Sequence, residues 1–161
     1  MKVSLDISVP SPLWRRLPRA RAIARETIAA AAAESGAPSE GGDVSLCLAD
    51  DPALRALNLR WRGLDKPTNV LSFPSAPPGR RGDATALGDI VLAYETLARE
   101  AEDLGVPLAD RYRHLLAHGF LHLIGYDHET DAEAERMEAL ETKILTRLGA
   151  GDPYAREVVG G

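Results

Sequence analysis

Apolar and polar residues alternate at the start of the chain, where Val3, Leu5 and Ile7 are separated by Ser4, Asp6 and Ser8. A period of two is that of a strand with one buried face. The spacing then predicts a helix from about Arg16 to Glu34, running through the alanine-rich stretch Ala29 to Ala33 and closed by Gly36. Val44 to Ala49 reads as a second strand. Asp51-Pro52 reads as an N-cap with proline at the first helical position, opening a short helix to about Trp61. Asn69 to Phe73 is a third strand ended by Pro74, and the polar run Pro77 to Gly82 reads as a mobile loop. Leu87 to Ala93 makes a fourth strand, followed by a helix from about Glu95 to Leu104 that stops at Gly105. The next helix runs from about Leu108 to Ile124 and ends at Gly125. The last opens with the capping box Thr130-x-x-Glu133 and carries Met137, Leu140, Ile144 and Leu148 at helical spacing, as buried positions. Without strict βαβ alternation, the pattern predicts one α+β domain over residues 1–161, with a mixed sheet of about four strands packed with about five helices.

Composition changes this picture little. The chain has 161 residues with 45% hydrophobic content, enough for one real core. No apolar stretch approaches the roughly 20 residues of a membrane helix, and the N-terminus lacks the layout of a signal peptide, so a cytoplasmic location and no membrane partner are expected. The single cysteine, Cys47, lies in the apolar run Val44 to Leu48 and reads as a buried, inert thiol of a reducing compartment. Net charge is −5, so the protein as a whole presents no basic field to nucleic acid. The charge is unevenly spread. Residues 1–36 hold six basic and three acidic side chains, and residues 129–147 hold six acidic and three basic ones, Glu141 among the acids. Both blocks read as solvated helix faces. A polyanion would have to dock locally, on the arginine side.

The chemistry is concentrated in His118-Gly119-Phe120-Leu121-His122-Leu123-Ile124-Gly125-Tyr126-Asp127-His128. His118 and His122 are four apart on a helix and leave the same face one turn apart. Gly125 can take a positive φ angle, ending the helix so that His128 returns toward the same point. Three imidazole nitrogens suit zinc and leave one tetrahedral position open, the catalytic rather than the closed arrangement. The metal site is thus expected at the end of a central helix. The H-x3-H-x5-H spacing is shared with metzincin proteases, which carry a glutamate directly after the first histidine as general base. Here that position is Gly119, which weakens a protease reading.

The same segment resembles the signature of the YbeY family of bacterial endoribonucleases and rRNA maturation factors. The block Leu57-Asn58, then Trp61-Arg62-Gly63-x-Asp65-Lys66-Pro67-Thr68-Asn69-Val70-Leu71-Ser72-Phe73-Pro74, is similar to that family too, as is Leu87-Gly88-Asp89-Ile90-Val91. The likeness covers roughly residues 44–154, with no departure at the candidate ligands, and the first forty residues add little. It implies one zinc ion per chain, held by His118, His122 and His128. It implies action on ribosomal RNA, in maturing the 3′ end of small-subunit rRNA and in ribosome quality control. The small ribosomal subunit is the implied partner, with ribosomal proteins or assembly GTPases as further candidates and no DNA. It also implies a groove beside the metal flanked by Arg62.

The residue chemistry fits that implication. Zinc lowers the pKa of bound water from 15.7 to about 7 and polarises phosphoryl oxygens. Arg62 could clamp a phosphate through two parallel hydrogen bonds, though a surface salt bridge is its ordinary role. His114, one turn before His118, could act on a proton or hold a phosphate, or be an ordinary histidine that supports the ligands from behind or caps the helix. Asp127 could orient a ligand imidazole or make a local turn bond. Tyr126 reads as a core aromatic, and Ser72 and Thr68 as structural hydrogen-bonding groups. Two other readings stay open: a ribosome-assembly factor with mainly structural zinc, and a metallohydrolase with a non-RNA substrate.

Overall fold

β1 (Val3–Ser8), β2 (Gly42–Ala49), β3 (Val70–Pro74) and β4 (Ala86–Ala93) form one sheet in the order β1-β2-β4-β3. The computed structural model describes residues 3–36, 42–75 and 86–150. β1, β2 and β4 are parallel, and β3 runs antiparallel to β4 along the edge. Parallel neighbours need a crossover. α1 (Ala20–Ser35) supplies it between β1 and β2, and α2 (Asp51–Arg62) leaves the end of β2 for the far edge. α3 (Tyr94–Leu104), α4 (Leu108–Leu123) and α5 (Asp131–Arg147) follow. Among the described residues the result is the α+β domain with four strands and five α-helices that the pattern predicts. No helix among the described residues is long and apolar enough to cross a membrane.

Alternation along the strands divides the core between the two sheet faces. Leu46, Leu48, Ile90 and Leu92 pack with Ile28 of α1 and Leu116 and Phe120 of α4. Leu71, Val91 and Ala93 point the other way, onto Leu54 of α2. β4 is covered on both faces, which is why Ile90 to Ala93 is apolar without a break. α2 and α4 therefore lie on opposite sides of the sheet.

Several boundaries differ from the sequence expectation, each for a local reason. α1 begins at Ala20 rather than near Arg16. Pro18 disfavours helical backbone at Leu17, which is extended at φ −114°, and Arg19 takes a left-handed φ of 62°. Residues Pro12–Arg16 form a separate 3-10 turn that inserts Trp14 into the core, where its indole Nε1 donates to Ala49 O at 2.8 Å. The cap of α2 is Asp50, which accepts from Ala53 N, and not Asp51. The Asp51 carboxylate is used elsewhere: it accepts from Thr96 Oγ1 at 2.7 Å and from Thr96 N at 3.2 Å, tying α2 to α3. Cys47 is half-buried, not buried. It lines a groove of about 620 Å³ on the α2 side of the sheet, with Leu57, Trp61, Phe73 and Asp89. In α5, Met137 and Ile144 are buried as expected, whereas Leu140 and Leu148 are half-buried. The loop expected at Pro77 to Gly82 lies outside the described residues.

Gly88 sets how closely α4 approaches the sheet. Its φ is 147°, and a side chain there would collide with the Phe73 carbonyl and come within 2.8 Å of Leu123 Cδ2. The C-terminal end of α4 therefore sits directly against the end of the β3–β4 pair.

Candidate metal centre

α4 buries Tyr112, Leu115, Leu116, Ala117, Phe120 and Leu121 along one side. The residues left on the other side recur every fourth position, as His114, His118 and His122. Phe120 and Leu121 thereby fix the rotation of the helix, and the helix in turn fixes the histidines. Past Leu123 the helix unwinds through Gly125, whose φ of 106° suits glycine alone, and Tyr126 N closes the turn on Leu121 O at 3.0 Å. Tyr126 packs half-buried against the core and donates its hydroxyl to Ser35 O at 3.4 Å. Asp127 Oδ1 accepts from the adjacent His128 N at 2.7 Å, a local bond at the backbone that carries His128.

These turns bring His118, His122 and His128 together, each offering one ring nitrogen within 4.8 Å of the others. The two Nε2 atoms of His118 and His122 are 3.1 Å apart. Two nitrogens bound tetrahedrally to one zinc at 2.0–2.1 Å would stand about 3.3 Å apart, so this pair is already near the spacing an ion requires. His118 and His122 are half-buried and His128 is exposed, which leaves one side of the cluster open. Burial holds His122 below the ordinary histidine pKa, helped by repulsion from His118 and His128 and opposed by Asp127 and a hydrogen bond with the Tyr126 backbone. A ring kept neutral has its lone pair ready for a metal. The donor set therefore fits a divalent ion.

Gly119 has a structural reason to lack a side chain. A Cβ there would lie 3.1 Å from Ile90 Cγ2 and 3.1 Å from Ser72 Oγ. Ser72 also donates its hydroxyl to Gly119 O at 3.1 Å, which matches its expected structural role. The position faces the sheet, and a glutamate would fit neither the space nor the surroundings.

One residue of this centre is missing from the sequence reading. Glu141, counted there in a solvated acidic block, is only 1% exposed. Its Oε2 lies 2.8 Å from His118 Nδ1 and its Oε1 2.7 Å from His114 Nε2. Burial alone would raise its pKa, but the hydrogen bonds from His114 and His118, and their charges, overcome this and bring it to about 2. The signal was present in the sequence: Glu141 falls four residues after Met137 and three before Ile144, on the apolar stripe of α5.

His114 is set back from the cluster. Its Nε2 meets Glu141 and its Nδ1 is 3.2 Å from an Arg111 guanidinium nitrogen, so both ring nitrogens face protein partners. Arg62 is not brought into contact with the histidines. It is exposed at the last turn of α2, on the opposite side of the sheet from α4, with no ion-pair partner among the described residues. Trp61 and the C-terminal end of α4 nevertheless lie at the same end of edge strand β3. Trp61, beside Arg62, has its ring centroid 6.1 Å from Phe73, and the end of α4 packs against Gly88 opposite Pro74.

Comparison with known proteins bears on this geometry. A family model described as Endoribonuclease YbeY matches residues 15–149, which includes α1 and extends the likeness well before residue 44. A protein of Bradyrhizobium sp. named Endoribonuclease YbeY is 51% identical over 154 residues, covering 93% of this chain and 91% of its own length. Another of that name, from Methylocella silvestris, is 48% identical over 155 residues, covering 96% and 87%. A third, from Rhizobium meliloti, is 58% identical over 119 residues, covering 73% and 70%.

Proposed function

The chain belongs to the endoribonuclease YbeY family, and on that premise we propose that it is a zinc-dependent, single-strand-specific endoribonuclease. Its work would be to mature the 3′ end of small-subunit ribosomal RNA and to take part in ribosome quality control, with the small subunit as partner. The proposal treats residues 1–161 as one such domain acting in the cytoplasm.

The observation that carries the reading is the convergence of three imidazoles with an open side, beside a Gly119 that leaves no room for a protease's general base. His118, His122 and His128 would hold the ion. Zinc bound there supplies Lewis acidity toward water and toward a phosphoryl oxygen. The remaining work falls to this chain's own residues. Arg62 is an exposed guanidinium with no ion-pair partner among the described residues, and its paired donors match a phosphate; its neighbour Trp61 packs near Phe73 of β3. In this reading a single strand would meet Arg62 with one phosphate and the histidine cluster with another. Of the roles open to His114, the hydrogen bonds favour supporting the centre over contacting RNA.

The test is cleavage of an RNA spanning the 3′ end of the small-subunit rRNA precursor by purified, zinc-loaded protein. Parent, His122→Ala and Arg62→Glu are compared, with metal content measured on each. The expected result is cleavage by the parent alone, with zinc lost from His122→Ala and kept by Arg62→Glu. Equal cleavage by His122→Ala, after removal of contaminating nuclease, would overturn the reading. Intact zinc, intact ribosome binding and no cleavage by the parent would favour an assembly factor instead.

A further inference from the structure

A chain of hydrogen bonds runs back from the histidine cluster into the protein. From His118 it passes to Glu141 Oε2 at 2.8 Å, and from Glu141 Oε1 to His114 Nε2 at 2.7 Å. His114 Nδ1 is 3.2 Å from Arg111, which places its Nε and a terminal nitrogen 3.1 and 2.7 Å from Glu100 Oε1. Glu100 is met in turn by Asn69 Nδ2 at 2.9 and 3.1 Å, at the foot of β3.

Donor and acceptor capacity decide where the protons sit. Arginine can only donate, so His114 Nδ1 accepts and its Nε2–H is directed at Glu141. An ionised carboxylate can only accept, so the proton of His118 is on Nδ1, facing Glu141. The lone pair of His118 is then on Nε2, on the side of His122 and His128. A histidine whose outer N–H is held by a carboxylate is fixed in both tautomer and ring orientation.

Nothing about packing asks for a carboxylate at residue 141. Its helix neighbours Met137, Ile144 and Leu145 are all buried, and an apolar side chain would fill the position without the desolvation cost of a charge. The charge has a use only through what it touches.

We propose that Glu141 is the positioning residue of the metal centre, holding His118 with Nε2 directed at the ion, while His114, itself held by Arg111, holds Glu141. The inference rests on the reading of the three histidines as metal ligands. It gives His114 a role that involves no contact with RNA.

Metal affinity and tautomer state test it on the full-length protein. Zinc affinity is measured by competition with a chromophoric chelator for the parent, Glu141→Gln and Glu141→Ala. The His118 tautomer is read from its ring nitrogen shifts in the metal-free parent, and metal-free melting temperatures report folding. The expected loss of zinc affinity is about 10- to 100-fold for Glu141→Ala, as for other groups that orient metal ligands. Glu141→Gln loses less, because its amide oxygen can still accept from His118. The parent shows His118 protonated on Nδ1. A parent that binds zinc while both folded variants bind it equally tightly overturns this inference alone, as does a His118 protonated on Nε2. An affinity loss that merely tracks loss of folded protein overturns it as well. A parent with no zinc affinity overturns the metal reading itself, and this inference with it.

Discussion

Gly119 and Ile90 are packed so closely that a Cβ on Gly119 would stand 3.1 Å from Ile90 Cγ2. That contact holds the middle of α4 against β4 and turns the histidine face of the helix outward. It also shows that the residue after the first histidine faces the sheet. The difference from a metzincin site is thus one of helix packing as well as of residue type.

Gly119→Glu should therefore unfold the protein more easily without creating a peptidase. Forcing a charged side chain between α4 and the sheet is expected to destabilise by at least about 2 kcal/mol. Urea unfolding of the metal-free variant gives the measurement. A variant as stable as the parent would show that α4 is not seated on Ile90 and Ser72 as described.

Arg62 is exposed and has no ion-pair partner among the described residues, so replacing it should cost little stability. Arg62→Ala is expected to melt within about 0.5 kcal/mol of the parent yet to cleave RNA far more slowly. Arg62→Lys should restore only part of the rate, since a lysine cannot make the paired contact. Full activity in Arg62→Ala would remove the phosphate clamp from the mechanism.

Stability of the metal-free protein should fall in two steps as pH is lowered. His122 is held below its ordinary pKa, chiefly by burial. The unfolded chain takes up that proton first, so stability is lost as pH drops below about 6.5. Glu141 is held at about 2 against an ordinary 4.5, so its contribution is present above pH 4.5 and lost on the way down to about pH 2. Thermal melts across this range should show both steps, and Glu141→Gln should lack the lower one. A melting temperature unchanged through the upper window would contradict the burial of His122.

Thr130 caps α5 by accepting from Glu133 N at 3.1 Å. Thr130→Ala is expected to cost about 1 kcal/mol, and Thr130→Ser almost nothing. Chemical denaturation of the two variants side by side checks the cap. Equal stability of all three proteins would mean that the helix start is held by other contacts.

The sequence by itself determined a good deal here, because the relevant physics is local. Period-two and period-3.6 patterns located the four strands and five α-helices of the described residues. The spacing of His118, His122 and Gly125 required only helix geometry and one glycine-favoured φ angle to bring the three histidines together. Boundaries that depended on a single cap or proline slipped, as with Asp50 in place of Asp51 and with Pro18 before α1. What the sequence could not decide was anything that joins separate elements. Glu141 is more than twenty residues from its hydrogen-bond partners His114 and His118. From its sequence neighbours it read as one more solvated acid on a charged helix. Only the packing of α5 against α4 turns it inward, where losing water makes its hydrogen bonds with His114 and His118 indispensable. Arg62 is the converse case: its type suggested a phosphate, but only the sheet between α2 and α4 decides that it and the histidines lie on opposite faces of one edge. A helix or a turn is set by interactions within a few residues, whereas burial and proximity are set by which apolar faces find each other across the whole chain.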